Sequence, residues 1–98
     1  MMKKPLYYVM YDISSNKIRS KVIHILKDAG LIRVQYSVFC GPLNFQQRKD
    51  LEEKLRTVVN EGSVYLILCC KDCFGKIITI GASFDKDYVT GKKEARIL

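Results

Sequence analysis

The stretch Leu6–Ile13 (LYYVMYDI) is apolar on both faces that an extended chain presents. Leu6, Tyr8 and Met10 alternate on one face, and Tyr7, Val9, Tyr11 and Ile13 on the other. A strand of this kind must be covered from two sides, so it belongs inside a layered fold rather than on a solvated surface. The chain next offers three helix N-caps, Ser14, Ser15 and Asn16. From Ile18 the apolar period changes to that of a helix, with Ile18, Val22, Ile25, Leu26 and Ala29 on one stripe and Gly30 placed to stop it. Lys17, Lys21, His24 and Lys27 fall mainly off the stripe, which makes His24 an exposed helix residue.

Leu31–Leu43 is rich in Val, Ile, Tyr and Phe and too long for one short strand. It reads as two strands broken near Gln35–Tyr36, although no glycine marks the turn. Asn44 with Gln47 three residues later forms a capping-box pattern for a second helix, whose stripe is Leu51, Leu55, Val58 and Val59 and whose stop is Gly62. Ser63–Cys70 is again a strand apolar on both faces, and Lys76–Gly81 reads as a short additional strand. The order is strand, helix, two strands, helix, strand. This is the split pattern of an α+β, ferredoxin-like βαββαβ sandwich with an additional C-terminal strand. Residues 1–81 form that domain, with the fifth strand at 77–81, and residues 82–98 are a polar tail assigned to dimer or partner contacts.

Two helices can cover only one face of a four-stranded sheet, and the tail is too polar to cover the other alone. A second copy of the chain, in a two-fold homodimer, is the economical cover. The short strand at 77–81 would then extend the partner's sheet edge.

Charge points to an anionic partner. The chain carries a net +7, and +5 of it lies within residues 1–35. Nucleic acid is the first candidate, and a solvated basic surface is the plain alternative. No apolar run approaches the ~20 residues that span a bilayer, and the first residues lack a signal-peptide cleavage pattern, so the expected location is cytoplasmic, with no membrane partner. The four cysteines, Cys40, Cys69, Cys70 and Cys73, are irregularly placed. Cys70 and Cys73 form a lone C-x-x-C, and without a second pair they read as ordinary cysteines at a strand end rather than a zinc site.

The residues Tyr11–Leu43 (YDISSNKIRSKVIHILKDAGLIRVQYSVFCGPL) resemble the CRISPR-associated protein two family. The most specific pieces are the strand ending in YDI, the basic start of the first helix, RVQYSVF, and the later IITIG, in an order and spacing that agree from about Tyr7 to Gly81. The resemblance implies a ferredoxin-like homodimer that binds nucleic acid during the acquisition of new spacers, as the small partner of the CRISPR integrase. It further implies metal-dependent endonuclease activity on single-stranded RNA or double-stranded DNA. The matching positions are Tyr11, Asp12, Arg19, Arg33, Ser37 and Phe39, and Lys21 stands where some relatives carry arginine.

On that resemblance, Tyr11, Asp12, Arg19, Arg33 and Phe39 are the candidate catalytic residues, and Lys17, Arg19, Lys21 and Arg33 the candidate nucleic-acid contacts. Asp12 is the candidate metal ligand. Near a two-fold axis it would meet its own copy, and two facing carboxylates repel unless a proton or a cation lies between them. Magnesium, with manganese as a substitute, suits such an oxygen site. Arg19 or Arg33 would hold a phosphate, and Tyr11 or Phe39 would stack on a base or orient the strand. Packing is the plainer reading of Phe39 and an equal one of Tyr11, which shares a face with Val9. Two readings of Asp12 stay open, a shared metal ligand and a carboxylate that merely braces the turn into the first helix. Two functions also stay open within the family, a magnesium-dependent endonuclease and a dimeric scaffold that holds duplex DNA and bridges integrase subunits without chemistry. A small RNA-recognition module on the same fold ranks last, because its aromatic-glycine signature is absent.

Overall fold

The computed structural model describes residues 4–78 and 80. Its elements are β1 (Leu6–Asp12), α1 (Asn16–Asp28), β2 (Ile32–Gln35), β3 (Val38–Pro42), α2 (Phe45–Val58), β4 (Ser63–Cys69) and a short α3 (Lys71–Gly75). The strands form one sheet in the order β2-β3-β1-β4, and every neighbouring pair is antiparallel. This is the α+β ferredoxin-like arrangement, with β1 in the interior and bonded on both edges. Among the described residues, no helix is long and apolar enough to cross a membrane.

The local chemistry of the sequence sets the boundaries. Ser15 caps α1, its hydroxyl oxygen accepting from the Ile18 N–H at 3.2 Å. Asn44 and Gln47 close the capping box of α2 reciprocally, at 2.7 and 2.9 Å. The break between β2 and β3 uses Ser37, which takes a left-handed φ of 70° in place of a glycine. Its carbonyl accepts from the Tyr11 N–H at 3.1 Å, a bond that rewards the unusual backbone. A bulge between Arg33 and Gln35 in the pairing of β2 with β3 keeps the strands together up to that turn.

The main core lies between the sheet and the two long helices. Val9 and Tyr11 of β1, Phe39 of β3, Val22 and Leu26 of α1, and Leu51 and Leu55 of α2 are buried together there. Ile18, Ile25 and Ala29 complete the α1 stripe as half-buried flanks, and Val58 and Val59 do the same for α2. The two faces of β1 are as its alternation requires.

The opposite face has a cover that the sequence did not reveal. Leu6, Cys40 and Phe74 form a second buried cluster, joined by Tyr8, Ile32, Val34, Cys69 and Ile77. Phe74 comes from α3, and its ring centroid lies 6.2 Å from that of Tyr8. Burial here pushes the Cys40 thiol and the Tyr8 phenol each up to about 12. α3 thus covers one end of this face from within the chain. The other end keeps Met10, Tyr65 and Ile67 open, at 41%, 62% and 45% exposure.

Two boundaries differ from expectation. β4 ends at Cys69, because Cys70 turns into the cap of α3. The short strand expected at 77–81 is not formed at its described positions: Ile77, Ile78 and Ile80 lie in no regular element, and Ile78 and Ile80 are exposed. Neither free edge of the chain's own sheet pairs with them. Residues 79 and 81, with the tail 82–98, lie outside the described residues.

Gly30 and Gly62 both take left-handed backbone, φ 85° and 77°. A Cβ at Gly30 would meet open space, whereas one at Gly62 would collide with the Asp12 carbonyl oxygen and lie 3.1 Å from the Ile13 Cα. Gly30→Ala is expected to cost about 1 kcal/mol, the conformational penalty alone. Gly62→Ala is expected to cost on the order of 3 kcal/mol, because β1 must also move. Urea unfolding of the two variants checks the ranking.

Candidate functional site

The end of β1 and its turn into α1 hold most of the sequence-predicted residues. Tyr11 and Asp12 are successive in the strand, so their side chains leave opposite faces of the sheet. Tyr11 enters the main core and Asp12 is exposed on the face that the long helices do not cover. In register, Asp12 pairs with Ser63 and Met10 with Tyr65, which places the carboxylate at the edge of the open apolar strip.

The junction is braced by groups other than Asp12. Arg19 Nη1 donates to the Ile13 and Ser14 carbonyls at 2.9 and 3.4 Å, and Nη2 donates to Asn16 Oδ1. Glu61 Oε1 accepts from the Ser15 N–H at 2.9 Å, bringing a carboxylate to the N-terminus of α1, where its charge is favoured. Among the described residues, the Asp12 carboxylate has no hydrogen-bond or ion-pair partner. The turn-bracing reading of Asp12 therefore has no contact to support it. Glu61 does that work, and sequence spacing could not have shown it, since the two partners are 46 residues apart.

A second grouping forms on the helix-covered side. Arg33 Nη2 donates to the Tyr11 hydroxyl oxygen at 3.4 Å. The guanidinium carbon lies 5.7 Å from the Phe39 ring centroid and 5.6 Å from that of Tyr36, within cation–π range. Phe39 is fully buried and Tyr11 nearly so, which leaves neither ring a face for a base to stack on. This placement favours the packing reading of both rings over the stacking one: they form the floor under Arg33. Tyr36, at 78% exposure, is the open ring beside Arg33. Its position at the apex of the β2–β3 break was the available signal. Ser37 serves the turn through its backbone.

Lys17 and Lys21 are exposed one turn apart on α1. His24 is exposed too, with Nε2 3.2 Å from Asp28 Oδ2. The structure thus joins Tyr11, Phe39 and Arg33 in one grouping and sets Asp12 on the opposite face of the sheet. Among the described residues no three His, Cys, Asp or Glu side chains gather as a metal site. Among those residues, one chain contributes Asp12 alone.

An antiparallel sheet backed by two helices, with its other face part bare and, among the described residues, a lone carboxylate at the end of the interior strand β1, defines a small ferredoxin-like domain with an unfinished surface. The model of the CRISPR associated protein Cas2 family matches residues 5–77, and the chain belongs to that family. It is 37% identical over 83 residues to the CRISPR-associated endoribonuclease Cas2 of Desulforudis audaxviator, covering 81% of this chain and 78% of that one. It is 43% identical over 51 residues, 52% of this chain and 19% of the other, to a CRISPR-associated endonuclease Cas1/endonuclease Cas2 fusion of Thermoproteus tenax. The crystal structure of a hypothetical protein from Thermus thermophilus superposes with a TM-score of 0.73 at 29% identity, over 82% of this chain and 94% of that one.

The bracing role of Arg19 separates it from its lysine neighbours. Arg19→Ala is expected to lower stability by about 1–2 kcal/mol, since it strips charged donors from two carbonyls. Lys17→Ala and Lys21→Ala are expected to stay within about 0.5 kcal/mol of the parent. Thermal and urea melts of the three variants check this.

Proposed function

We propose that this protein is a dimeric, nucleic-acid-binding CRISPR adaptation protein that cleaves phosphodiester bonds of single-stranded RNA or double-stranded DNA with magnesium, or manganese in its place. The observation that carries the reading is the unpartnered Asp12 carboxylate beside the exposed strip of Met10, Tyr65 and Ile67. That strip needs a cover, and a second copy packed on it about a two-fold axis supplies an identical one. The same operation brings two Asp12 side chains towards each other.

Asp12 and its copy are then the residues that would hold the ion, one carboxylate from each chain. When bound, magnesium supplies charge stabilisation at the scissile phosphate and lowers the pKa of a water. The remaining roles belong to the chain itself. Lys17 and Lys21 attract and hold phosphates without reading sequence, so binding weakens steeply with salt. Arg33, held by Tyr11 and Phe39 from below, presents its guanidinium next to Tyr36, where a base or a phosphate can be received. Arg19 keeps the β1–α1 turn in place and has N–H groups left over for a phosphate.

A second reading, a dimeric scaffold that holds duplex DNA and joins CRISPR integrase subunits without chemistry, is favoured by two observations. Among the described residues a single chain brings one carboxylate to the site, and the grouped Arg33, Tyr36 and Phe39 lie across the sheet from it. The natural fusion of a Cas1 and a Cas2 in one chain supports an integrase partner under either reading.

Sedimentation at micromolar concentration is expected to give twice the 11.3 kDa of one chain. A monomer would remove the paired-carboxylate site. In nuclease assays with and without magnesium, Asp12→Asn is expected to keep the dimer and its duplex affinity and to lose cleavage. Cleavage by Asp12→Asn at the parent rate would overturn the metal role of Asp12. Equal inactivity of both proteins with intact duplex binding would instead establish the scaffold.

A further inference from the structure

Neither function uses the pair of cysteines at the start of α3. Cys70 and Cys73 are both exposed, and their Sγ atoms lie 2.6 Å apart. Cys70 is the cap of α3, its sulfur accepting from the Cys73 N–H at 3.1 Å, so the backbone itself holds the two thiols on one side of the turn. A disulfide needs an S–S length of about 2.05 Å, and the pair is within about 0.6 Å of it without any change of element. The other two cysteines are placed differently. Cys40 is fully buried, and Cys69 packs against the cluster of Leu6, Cys40 and Phe74. A zinc site would need four ligands, and no group of three gathers among the described residues.

We propose that Cys70 and Cys73 form a reversible redox site, which exchanges with small-molecule disulfides of the glutathione class to close an intramolecular disulfide across the first turn of α3. In the first step the Cys70 thiolate attacks one sulfur of the small disulfide. An S–S bond forms to Cys70, the original S–S bond breaks, and one thiolate leaves. In the second step the Cys73 thiol gives its proton to solvent and its sulfur attacks Cys70 Sγ, releasing the second small thiolate. The two protein thiols are oxidised by two electrons, and one small disulfide is reduced to two thiols.

The two sulfurs suit different steps. Hydrogen bonding from the Cys73 side chain, then from its backbone, lowers the Cys70 pKa from its ordinary value, and the same contact raises that of Cys73. Cys70 is therefore the attacking sulfur and Cys73 the resolving one. Burial pushes the Cys40 thiol up to about 12, which keeps it out of the exchange. The bridge would also tie down the turn that leads to Phe74, the residue that covers Tyr8.

The test uses the reduced full chain, incubated with oxidised glutathione, then denatured, blocked with iodoacetamide and mapped by mass. Two of the four thiols are expected to escape alkylation, as a Cys70–Cys73 disulfide that excess reduced glutathione reverses. Cys69→Ala is expected to leave that result unchanged. Cys73→Ser is expected to accumulate glutathione on Cys70 as a lasting mixed disulfide, and Cys70→Ser to form neither product. Four alkylated thiols after the oxidant would overturn the proposal, as would pairing to Cys69 or to a second chain. Both serine variants alter exposed side chains, and an unchanged circular dichroism spectrum confirms that each is folded.

Discussion

The arrangement depends on β1 being hydrogen-bonded along both edges. Its partners β3 and β4 fix its register twice over, Val9 opposite Phe39 on one side and opposite Leu66 on the other. A slip of one residue would carry Val9 and Tyr11 out of the core and put Met10 and Asp12 into it. Burying an unpaired carboxylate in that way costs several kcal/mol, roughly, so the register is strongly specified. Asp12 is exposed because Tyr11 is buried. The placement of the candidate metal ligand is thus a by-product of core packing, enforced by the same alternation.

That constraint also sorts the basic and aromatic residues. Phe39 sits opposite Val9 in β3 and opposite Arg33 in β2, so all three belong to the helix-covered side. Arg33, near the sheet's β2 edge, can lie against buried rings and still reach solvent, with its stem and guanidinium spread over Phe39 and Tyr36. A guanidinium held this way loses less freedom when it takes up a phosphate than one on a free side chain. Arg19 is held in another manner, by main-chain carbonyls, and its charge serves the fold first. Similar basic residues, close in sequence, thus do different physical work.

Much of this was legible in the sequence where the signal was local. The capping box at Asn44–Gln47, the stripe centred on Val22 and Leu26, and the two-faced apolar strand at Leu6 needed only spacing to be read. The break near Gln35–Tyr36 was legible in position but not in mechanism, since Ser37 adopts a backbone that glycine usually supplies. α3 was not legible. Five residues are too few to display a helical period, and alternating isoleucines at 78 and 80 read more strongly as a strand. Phe74 on Tyr8 and Glu61 on Ser15 are contacts between distant parts of the chain, which local pattern cannot carry. For the site, spacing could not separate the two readings of Tyr11 and Phe39, because aromatic residues at strand ends serve as core and as base platform with the same spacing; their burial favours packing.

The two faces of the sheet therefore carry separable chemistry. The open face holds Asp12, the exposed Met10, Tyr65 and Ile67, and, at its other end, the cover supplied by α3. The other side holds Lys17 and Lys21 on helix α1, and the pair of Arg33 in β2 with Tyr36 in the β2–β3 turn. Under the proposed two-fold assembly, the strip of Met10, Tyr65 and Ile67 with Asp12 beside it is closed inside the dimer, and the second surface is displayed twice on its outside. A duplex can then be held by both chains through their outer surfaces whether or not anything is cut at the axis. Cleavage, by contrast, would require a strand to reach the junction between the chains. Binding and cutting would then make different demands on the same molecule, and a loss of the carboxylates proposed to meet at the axis need not touch the groups proposed to hold phosphate outside it.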